Sequence, residues 1–147
     1  MTVDAESVVA DLRPRPLPNE ANAFYWDAAR EHRLVLQRCD SCHLFQYPPD
    51  VVCVHCQSLA MTPTEVSGGG VLYSFATVGR AFHPGFVDQL PYVVGLVELD
   101  EQPGLRMLTN IVDASSSELS VGMAVEVTFE DRETVTLPQF RPSGRTS

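Results

Sequence analysis

The chain has 147 residues, of which 44% are hydrophobic, and a formal net charge of −9 with histidine neutral. The length suits one domain or two small modules that share an interface, and the composition is sufficient for a packed core. An acidic surface repels phosphate backbones at long range, so the charge argues against a nucleic-acid partner. No apolar run is long enough to cross a bilayer and the first residues do not form a secretory signal, so we expect a cytoplasmic protein without a membrane partner.

The first predicted segment is an irregular N-terminal arm over residues 1–18. Pro14, Pro16 and Pro18 alternate with other residues. Proline lacks a backbone N–H and pushes the residue before it out of the helical region. We therefore expect irregular or extended chain in this arm.

A helix is predicted over residues 19–33, which contain strong helix formers and no proline or glycine. Phe24, Tyr25 and Trp26 are consecutive, so they cannot all lie on one helix face. Two interpretations follow. Either the helix is wedged between two modules of the same chain, or one aromatic face is available to a partner protein.

Residues 34–62 form the predicted metal-binding ribbon, in which two Cys-x-x-Cys pairs are separated by ten residues. Each pair places two sulfurs on one side of a tight loop, and two pairs complete a tetrahedron. Four thiolates suit Zn²⁺, which has no geometric preference of its own and does not change redox state. The sequence predicts one structural zinc ion, bound by Cys39, Cys42, Cys53 and Cys56.

Iron in a rubredoxin-type site is the main alternative to zinc, because it also uses four thiolates in two such loops. Rubredoxin-like loops usually carry glycine or proline near the cysteines, and the sequences CDSC and CVHC do not. Disulfides are disfavoured because nothing in the sequence indicates export. His43 and His55 lie beside ligands, and we expect them to be exposed or to hydrogen-bond around the site.

Residues 63–140 form the predicted barrel, and residues 141–147 a tail. The triple glycine that precedes the first barrel strand is interpreted as a hinge or bulge. Turn signals separate short β-type runs, with strands predicted at 71–78, 92–99, 106–112, 124–130 and 135–137. Five short strands without a long amphipathic helix predict a closed barrel and disfavour a βαβ sheet.

Alternation within these strands predicts which side chains share a face. In the strand at 124–130, Val125, Val127 and Phe129 are expected to point inward. In the strand at 71–78, Val71, Tyr73 and Phe75 are expected to share one face.

No catalytic residue is predicted, because the cysteines are committed to metal and Ser74 lacks the motif of an activated nucleophile. The triple glycine is not followed by the Lys-Ser/Thr of a phosphate-binding loop. The most distinctive loop follows the first barrel strand and contains Arg80, Phe82 and His83. Aromatic residues beside a cation suit a protein interface or an anionic, partly apolar ligand.

The order of these motifs resembles the DUF35 family, whose members join a zinc ribbon to an OB-fold and are associated with acyl-CoA metabolism. The resemblance covers about residues 22–142. The features that carry it are Phe24-Tyr25-Trp26, Leu34, the two cysteine pairs, Gly70-x-Leu72-x-Ser74-Phe75, Pro91-Tyr92 and Val121-Gly122. It implies a mainly β fold with an N-terminal helix, a rubredoxin-like zinc ribbon and a C-terminal five-stranded OB-fold barrel.

The resemblance also implies a non-catalytic accessory subunit of an acyl-CoA-processing complex. The expected partner is a thiolase-superfamily aldolase or thiolase of the lipid-transfer-protein type, whose acyl-CoA substrates include steroid side-chain intermediates. A MaoC-type enoyl-CoA hydratase is the alternative partner. We expect acyl-CoA near the interface and a hetero-oligomer of two plus two chains. The predicted partner or CoA-channel surface comprises Phe24, Tyr25, Trp26, Tyr73, Phe75, Arg80, Phe82 and His83.

Two other functions remain open at this point. A nucleic-acid-binding OB module would need a basic groove, which the net charge of −9 disfavours. A rubredoxin-type electron carrier would hold iron and would be coloured.

Overall fold

The computed structural model describes residues 13–144, which form one short α-helix, a three-stranded ribbon sheet and a closed five-stranded barrel. The predicted fold class is confirmed, since the described chain is mainly β. Residues 1–12 of the predicted arm and 145–147 of the predicted tail lie outside the described part. Among the described residues, no helix has the length and apolar character needed to cross a bilayer.

Helix α1 spans Ala23–Arg30 and contacts a strand of the ribbon and a strand of the barrel. It begins later than the predicted residue 19, because Asn19 closes a separate turn. The Asn19 side-chain oxygen accepts hydrogen bonds from the backbone N–H groups of Ala21 and Asn22 at 2.9 and 3.0 Å. The helix has ended before His32, which adopts a left-handed φ of 57°.

The aromatic run of α1 packs into the interior. Tyr25 is 4% exposed, and Phe24 and Trp26 are partly buried against the same core. The Tyr25 ring lies 4.8 Å from the Trp26 ring and 5.7 Å from the Tyr47 ring, measured between centroids. Burial raises the pKa of Tyr25, and the neighbouring Tyr47 adds to the shift. These contacts favour the interpretation in which the helix is wedged between two modules of one chain.

The ribbon consists of β1 (Val35–Cys39), β2 (Phe45–Gln46) and β3 (Met61–Glu65). The strands are antiparallel, in the order β2-β1-β3. Because β3 pairs with β1 over its full length, the predicted boundary between ribbon and barrel, after residue 62, falls within β3.

The barrel closes in the order β4-β5-β6-β8-β7. Its strands are β4 (Gly69–Val78), β5 (Tyr92–Leu99), β6 (Arg106–Ile111), β7 (Ala124–Asp131) and β8 (Thr136–Pro142). Neighbouring strands are antiparallel except β6 and β8, which run parallel and pair at Ile111 and Phe140. Strand β8 ends at Pro142, two residues past residue 140, where the barrel was predicted to end.

A β-bulge in β4 separates side chains that were predicted to share a face. The register against β5 shifts at Tyr73, and the extra residue reverses the alternation beyond it. Leu72 is fully buried and Phe75 packs against the core, whereas Tyr73 is 46% exposed and lies 3.8 Å from the Arg106 guanidinium. The prediction that Tyr73 and Phe75 lie on one face is wrong.

The triple-glycine segment is a site of close packing and not a hinge. All three glycines are buried. A Cβ on Gly70 would lie 2.5 Å from the carbonyl oxygen of Glu98, and Gly68 has a φ of 86°. Glycine is needed here because two backbones approach closely and because the chain enters the left-handed region.

One hydrophobic core joins the helix, the ribbon and the barrel. It contains Tyr25 of α1 and Leu36 of β1 together with Leu72, Val97 and Phe140 of the barrel. The last four of these side chains are 0% exposed. Unfolding of either module would expose apolar surface of the other, so the two are expected to stabilise each other.

Two polar contacts also connect the modules. The Gln102 amide, between β5 and β6, accepts from the Phe45 N–H at 2.9 Å and donates to the Phe45 carbonyl at 3.1 Å. His32 Nε2 lies 2.9 Å from Asp131 Oδ1. Hydrogen bonds from His32 and then Thr136 lower the pKa of Asp131. The contact between Gln102 and Phe45 joins the barrel to the ribbon. The contact between His32 and Asp131 joins the chain just after α1 to the barrel.

Candidate metal centre

The four cysteines converge at one end of the ribbon. Cys39 is the last residue of β1, Cys42 follows in the turn to β2, and Cys53 and Cys56 lie between β2 and β3. All four Sγ atoms lie within 4.8 Å of one another. The Sγ atoms of Cys39 and Cys56 are 3.5 Å apart, and those of Cys42 and Cys53 are 3.7 Å apart.

These separations fit a tetrahedral metal ion. Four sulfurs about 2.3 Å from a zinc-sized ion would stand about 3.8 Å apart at the corners of a tetrahedron. A disulfide would need a separation of about 2.0 Å, and the four cysteines form none. The cysteines are therefore positioned to bind a metal, and four sulfur ligands would leave no open coordination position.

The two Cys-x-x-Cys loops share one backbone form. The residue after each second cysteine is left-handed, with φ of 64° at His43 and 67° at Gln57. The N–H of His43 donates to the Cys39 carbonyl at 2.9 Å, and that of Gln57 donates to the Cys53 carbonyl at 2.8 Å. Glycine is the usual residue for such a conformation, yet both loops form without it.

Backbone N–H groups donate to the sulfurs of Cys39 and Cys53. The N–H groups of Ser41 and Cys42 both lie 3.4 Å from Cys39 Sγ, and the N–H of His55 lies 3.4 Å from Cys53 Sγ. These loops present N–H groups to sulfur without glycine or proline, so the lack of those two residues does not disfavour iron.

The four thiols differ in acidity before a metal is bound. The Cys42 N–H contributes most to lowering the pKa of Cys39 to about 6. Burial opposes ionisation of Cys53, but surrounding N–H groups, that of Cys56 first, lower its pKa. The Ser58 N–H favours the Cys56 thiolate, yet Cys39, burial and the remaining cysteines raise the Cys56 pKa to about 12. A bound cation would offset the repulsion that resists ionisation of all four.

The histidines beside the ligands are outside the sulfur cluster. His43 and His55 are both exposed. His55 Nε2 lies 3.3 Å from the carbonyl oxygen of Phe45, which ties the second loop to β2. This agrees with the expectation that they hydrogen-bond around the site or remain exposed.

A pair of buried glutamines holds the second cysteine loop. Gln37 and Gln46 are 6% and 3% exposed, and Gln46 Nε2 donates to Gln37 Oε1 at 3.0 Å. Gln37 donates to the Asp50 carbonyl at 2.7 Å and accepts from the Asp50 N–H at 2.9 Å. Gln46 donates to the Val52 carbonyl at 3.1 Å and accepts from the Val54 N–H at 2.9 Å. Sequence reasoning missed both residues, because their burial depends on how β1 and β2 pair.

We expect Gln46→Ala to weaken the metal site without removing a ligand. Cys53 lies between the two backbone groups that Gln46 holds, so the substitution should loosen one of the four sulfurs. Metal affinity, measured by competition with a coloured chelator, should fall about 10- to 100-fold. Gln89→Ala is the matched control, because Gln89 is exposed and lies on the barrel. Equal affinity of the Gln46 and Gln89 variants would contradict this role.

The structure places the eight residues of the predicted partner or CoA-channel surface in three settings. Those that pack within or against the core are Phe24, Tyr25, Trp26 and Phe75. Tyr73 is exposed under Arg106. Those that lie between β4 and β5 are Arg80, Phe82 and His83. Tyr25 is too buried to contact a partner in this fold.

The β4–β5 loop carries the most exposed of these aromatic residues. Phe82 is 82% exposed, and the Arg80 guanidinium lies 5.8 Å from the centroid of its ring. His83 Nδ1 accepts a hydrogen bond from the Gly85 N–H at 3.0 Å. This bond caps the 3₁₀ turn Pro84–Gln89.

Exposed apolar side chains also border the second cysteine loop. Val51 and Val54 are both 64% exposed and Leu59 is 77% exposed. We call these three residues the ribbon rim. Sequence reasoning missed them, because their exposure follows from the fold. Apolar groups exposed next to a rigid site are typical of protein interfaces.

Two family models match the chain. The model of the ChsH2 rubredoxin-like zinc ribbon domain matches residues 26–62, and that of the ChsH2 C-terminal OB-fold domain matches residues 63–130. Among solved structures, a chain of the Ltp2-ChsH2(DUF35) aldolase is 40% identical, with a TM-score of 0.77, covering 87% of this chain and 98% of that chain. A DUF35 protein from Sulfolobus solfataricus shares the fold at 12% identity and a TM-score of 0.58. The match covers 84% of this chain and 86% of that chain.

The curated relatives are named as hydratase alpha subunits or as DUF35 scaffold proteins. A probable enoyl-CoA hydratase alpha subunit from Thermomonospora curvata is 40% identical over 97% of this chain and 44% of its own length. The 3-oxo-4,17-pregnadiene-20-carboxyl-CoA hydratase alpha subunit of Mycobacterium tuberculosis is 33% identical over 85% of this chain and 40% of its own length. The chain thus spans less than half the length of these two relatives. A DUF35 domain-containing scaffold protein from Methanocaldococcus jannaschii is 32% identical over 65% of this chain and 67% of its own. With its ribbon, its barrel and its four converging cysteines, the chain belongs to the DUF35 family of ChsH2-type proteins.

Proposed function

We propose that this chain is a non-catalytic accessory subunit that binds a thiolase-superfamily aldolase or thiolase of the lipid-transfer-protein type. The similarity to a chain of the Ltp2-ChsH2(DUF35) aldolase carries the proposal, at 40% identity over 98% of that chain. The Methanocaldococcus relative is named as a scaffold, which supports an accessory role.

The metal that we propose for the cysteine cluster is Zn²⁺, in a structural role. The family model of the ribbon is named for zinc, and four sulfurs close the coordination sphere. Bound there, the ion would supply the cross-link that strands of five, two and five residues cannot supply by packing alone.

The partner contact that we propose is the ribbon rim. Val51, Val54 and Leu59 are exposed apolar side chains, and the metal and the buried glutamines hold the loop that carries the first two. Rigid exposed apolar groups bind a partner with little loss of conformational entropy. Metal loss should therefore weaken partner binding even though the metal takes no part in the partner's chemistry.

The substrate class that we propose for the complex is acyl-CoA thioesters, with steroid side-chain intermediates as the leading members. The Mycobacterium relative is named for a pregnadiene carboxyl-CoA. On this chain Arg80, beside Phe82, offers a cation and an apolar ring to the CoA portion near the interface. A complex of two plus two chains would match the dimeric form usual for thiolase-like proteins.

A MaoC-type enoyl-CoA hydratase is the alternative partner. Two relatives are named as hydratase alpha subunits. Their matches extend over 97% and 85% of this chain. This chain would then be the accessory subunit of an enzyme that hydrates an acyl-CoA.

Affinity purification from the native cells tests the proposal. The tagged chain should recover a thiolase-like aldolase, identified by mass spectrometry. Val54→Glu places a charge on the ribbon rim and should reduce recovery at least about tenfold. Val121→Glu is the matched control, because Val121 is 67% exposed, close to the 64% of Val54, and precedes β7 on the barrel.

The outcomes separate the candidate functions. Recovery of a MaoC-type hydratase in place of an aldolase would select the alternative partner. Recovery of neither enzyme, or of nucleic-acid-binding factors alone, would contradict the accessory role. Equal recovery by the Val54 and Val121 variants would remove the ribbon rim as the contact surface.

A further inference from the structure

A cavity of about 420 Å³ lies at the end of the barrel where β4 ends and β5 begins. Small-molecule sites in proteins typically measure about 300–1,000 Å³. None of the four cysteines lines the cavity. Its apolar wall includes Phe86, Tyr92, Val93 and Ile111, and the rings of Phe86 and Tyr92 lie 5.3 Å apart at a 32° tilt.

The polar side of the cavity arises from the seam between β6 and β8. These strands pair at Ile111 and Phe140, and the residues just before that pair, Asn110 and Gln139, both line the cavity. Gln139 is 8% exposed, so its side chain is mostly buried at the cavity wall. Asn110 Nδ2 donates to the Val93 carbonyl at 3.3 Å, which leaves its Oδ1 as an acceptor.

The Gln139 carboxamide offers N–H donors and a carbonyl acceptor on the cavity wall. A ligand that enters the cavity can meet both kinds of group, as partners of a mostly buried carboxamide normally do. Gln89, which is exposed and lines the same cavity, adds a third carboxamide. In-plane carboxamides pair with another amide through one donated and one accepted hydrogen bond.

The charges that line the cavity argue against a charged ligand. Arg13 Nη1 lies 3.2 Å from Glu130 Oε1, so this arginine, the one that lines the cavity within residues 13–144, is already matched by a carboxylate. The remaining lining carboxylate, Asp113, lies 3.7 Å from Arg141. A phosphate or carboxylate would therefore find no unmatched cation among the described lining residues, and a cation would have to compete with an existing ion pair.

We propose that this cavity binds an uncharged planar carboxamide, an amide carried on an aromatic or similarly flat ring. The amide pairs with Gln139 and Asn110, and the ring lies against Phe86 and Tyr92. The site is separate from the metal centre and does not depend on the proposed accessory role.

Nuclear magnetic resonance of the metal-loaded, full-length, ¹⁵N-labelled chain tests this site with three ring compounds. Benzamide is the neutral amide, and benzoate and benzylamine are its anionic and cationic counterparts. Benzamide should shift the Gln139 side-chain amide and the Ile111 backbone resonances saturably, with a dissociation constant of about 1–10 mM. The two charged compounds should bind at least about tenfold more weakly.

Two variants and a control complete the experiment. Gln139→Leu keeps the size of the side chain and removes its hydrogen-bonding groups, and should weaken benzamide binding at least about tenfold. Ser116→Trp places a ring at an exposed lining position and should block binding even if the Gln139 variant does not fold. Glu20→Leu, at an exposed position that does not line the cavity, should leave binding unchanged. Absence of saturable benzamide shifts, equal binding of the three compounds, or undiminished binding by a folded variant at 116 would overturn the proposal.

Discussion

The substitution Cys53→Ser should abolish stoichiometric metal binding and destabilise the whole chain. Cys53 is 1% exposed and lies within 4.8 Å of the other three sulfurs, and serine is a far weaker ligand for zinc than a thiolate. Structural zinc contributes about 10–16 kcal/mol of binding free energy in small metal-dependent folds. Because the ribbon shares its core with the barrel, we expect the midpoint of thermal unfolding to fall by at least about 10 °C.

Elemental analysis and calorimetry on the same samples measure both effects. The wild-type chain should be colourless and carry one zinc per chain, and Cys53→Ser close to none. His55→Ala is the matched control, because His55 lies beside two ligands and is exposed outside the sulfur cluster. It should keep its metal. Retention of one metal by Cys53→Ser, or loss of metal from His55→Ala, would contradict the four-cysteine site.

The substitution Phe140→Ala should cost about 3–5 kcal/mol of unfolding free energy, the range found for large aromatic residues in closed cores. Phe140 is 0% exposed and forms the pair with Ile111 that joins β6 to β8. Truncation would leave a cavity at the point where the barrel closes. Urea unfolding of the metal-loaded protein, followed by fluorescence, measures the change.

Phe82→Ala provides a control with the same chemical change. Phe82 is 82% exposed, so its removal should alter the unfolding free energy by less than about 0.5 kcal/mol. If the two phenylalanine variants were equally stable, Phe140 would not be a closed core position at the junction of β6 and β8.

The parts of the fold that sequence predicted are those set by local pattern. Two Cys-x-x-Cys pairs define a sulfur cluster through spacing alone, and the four Sγ atoms do converge. The alternation in β7 predicted an inward Val125, which is 0% exposed. Both signals survive in the structure because each is repeated within a few neighbouring residues.

The parts that sequence did not predict depend on contacts between distant segments. The bulge at Tyr73 is set by the register of β4 against β5. The burial of Gln37 and Gln46 is set by the pairing of β1 with β2. The cavity at Gln139 needs the seam between β6 and β8, which are separated in sequence by all of β7.

The aromatic helix also has one feature set by local sequence and one set by contacts with distant segments. Adjacency alone shows that Phe24, Tyr25 and Trp26 cannot share a face. Only the position of α1 between ribbon and barrel determines that Tyr25 is the one most deeply buried. For this reason the predicted partner surface included a residue that serves the core.

The accessory role is tested most directly by assaying the recovered aldolase on its own acyl-CoA substrate, alone and with the metal-loaded chain added at equal concentration. We expect the chain alone to have no activity and its addition to raise kcat/KM of the aldolase at least about tenfold. The Val121→Glu variant should do the same, whereas Val54→Glu should not. Turnover by the purified chain alone, or an aldolase rate that is unchanged by the chain, would rule out the proposed accessory role.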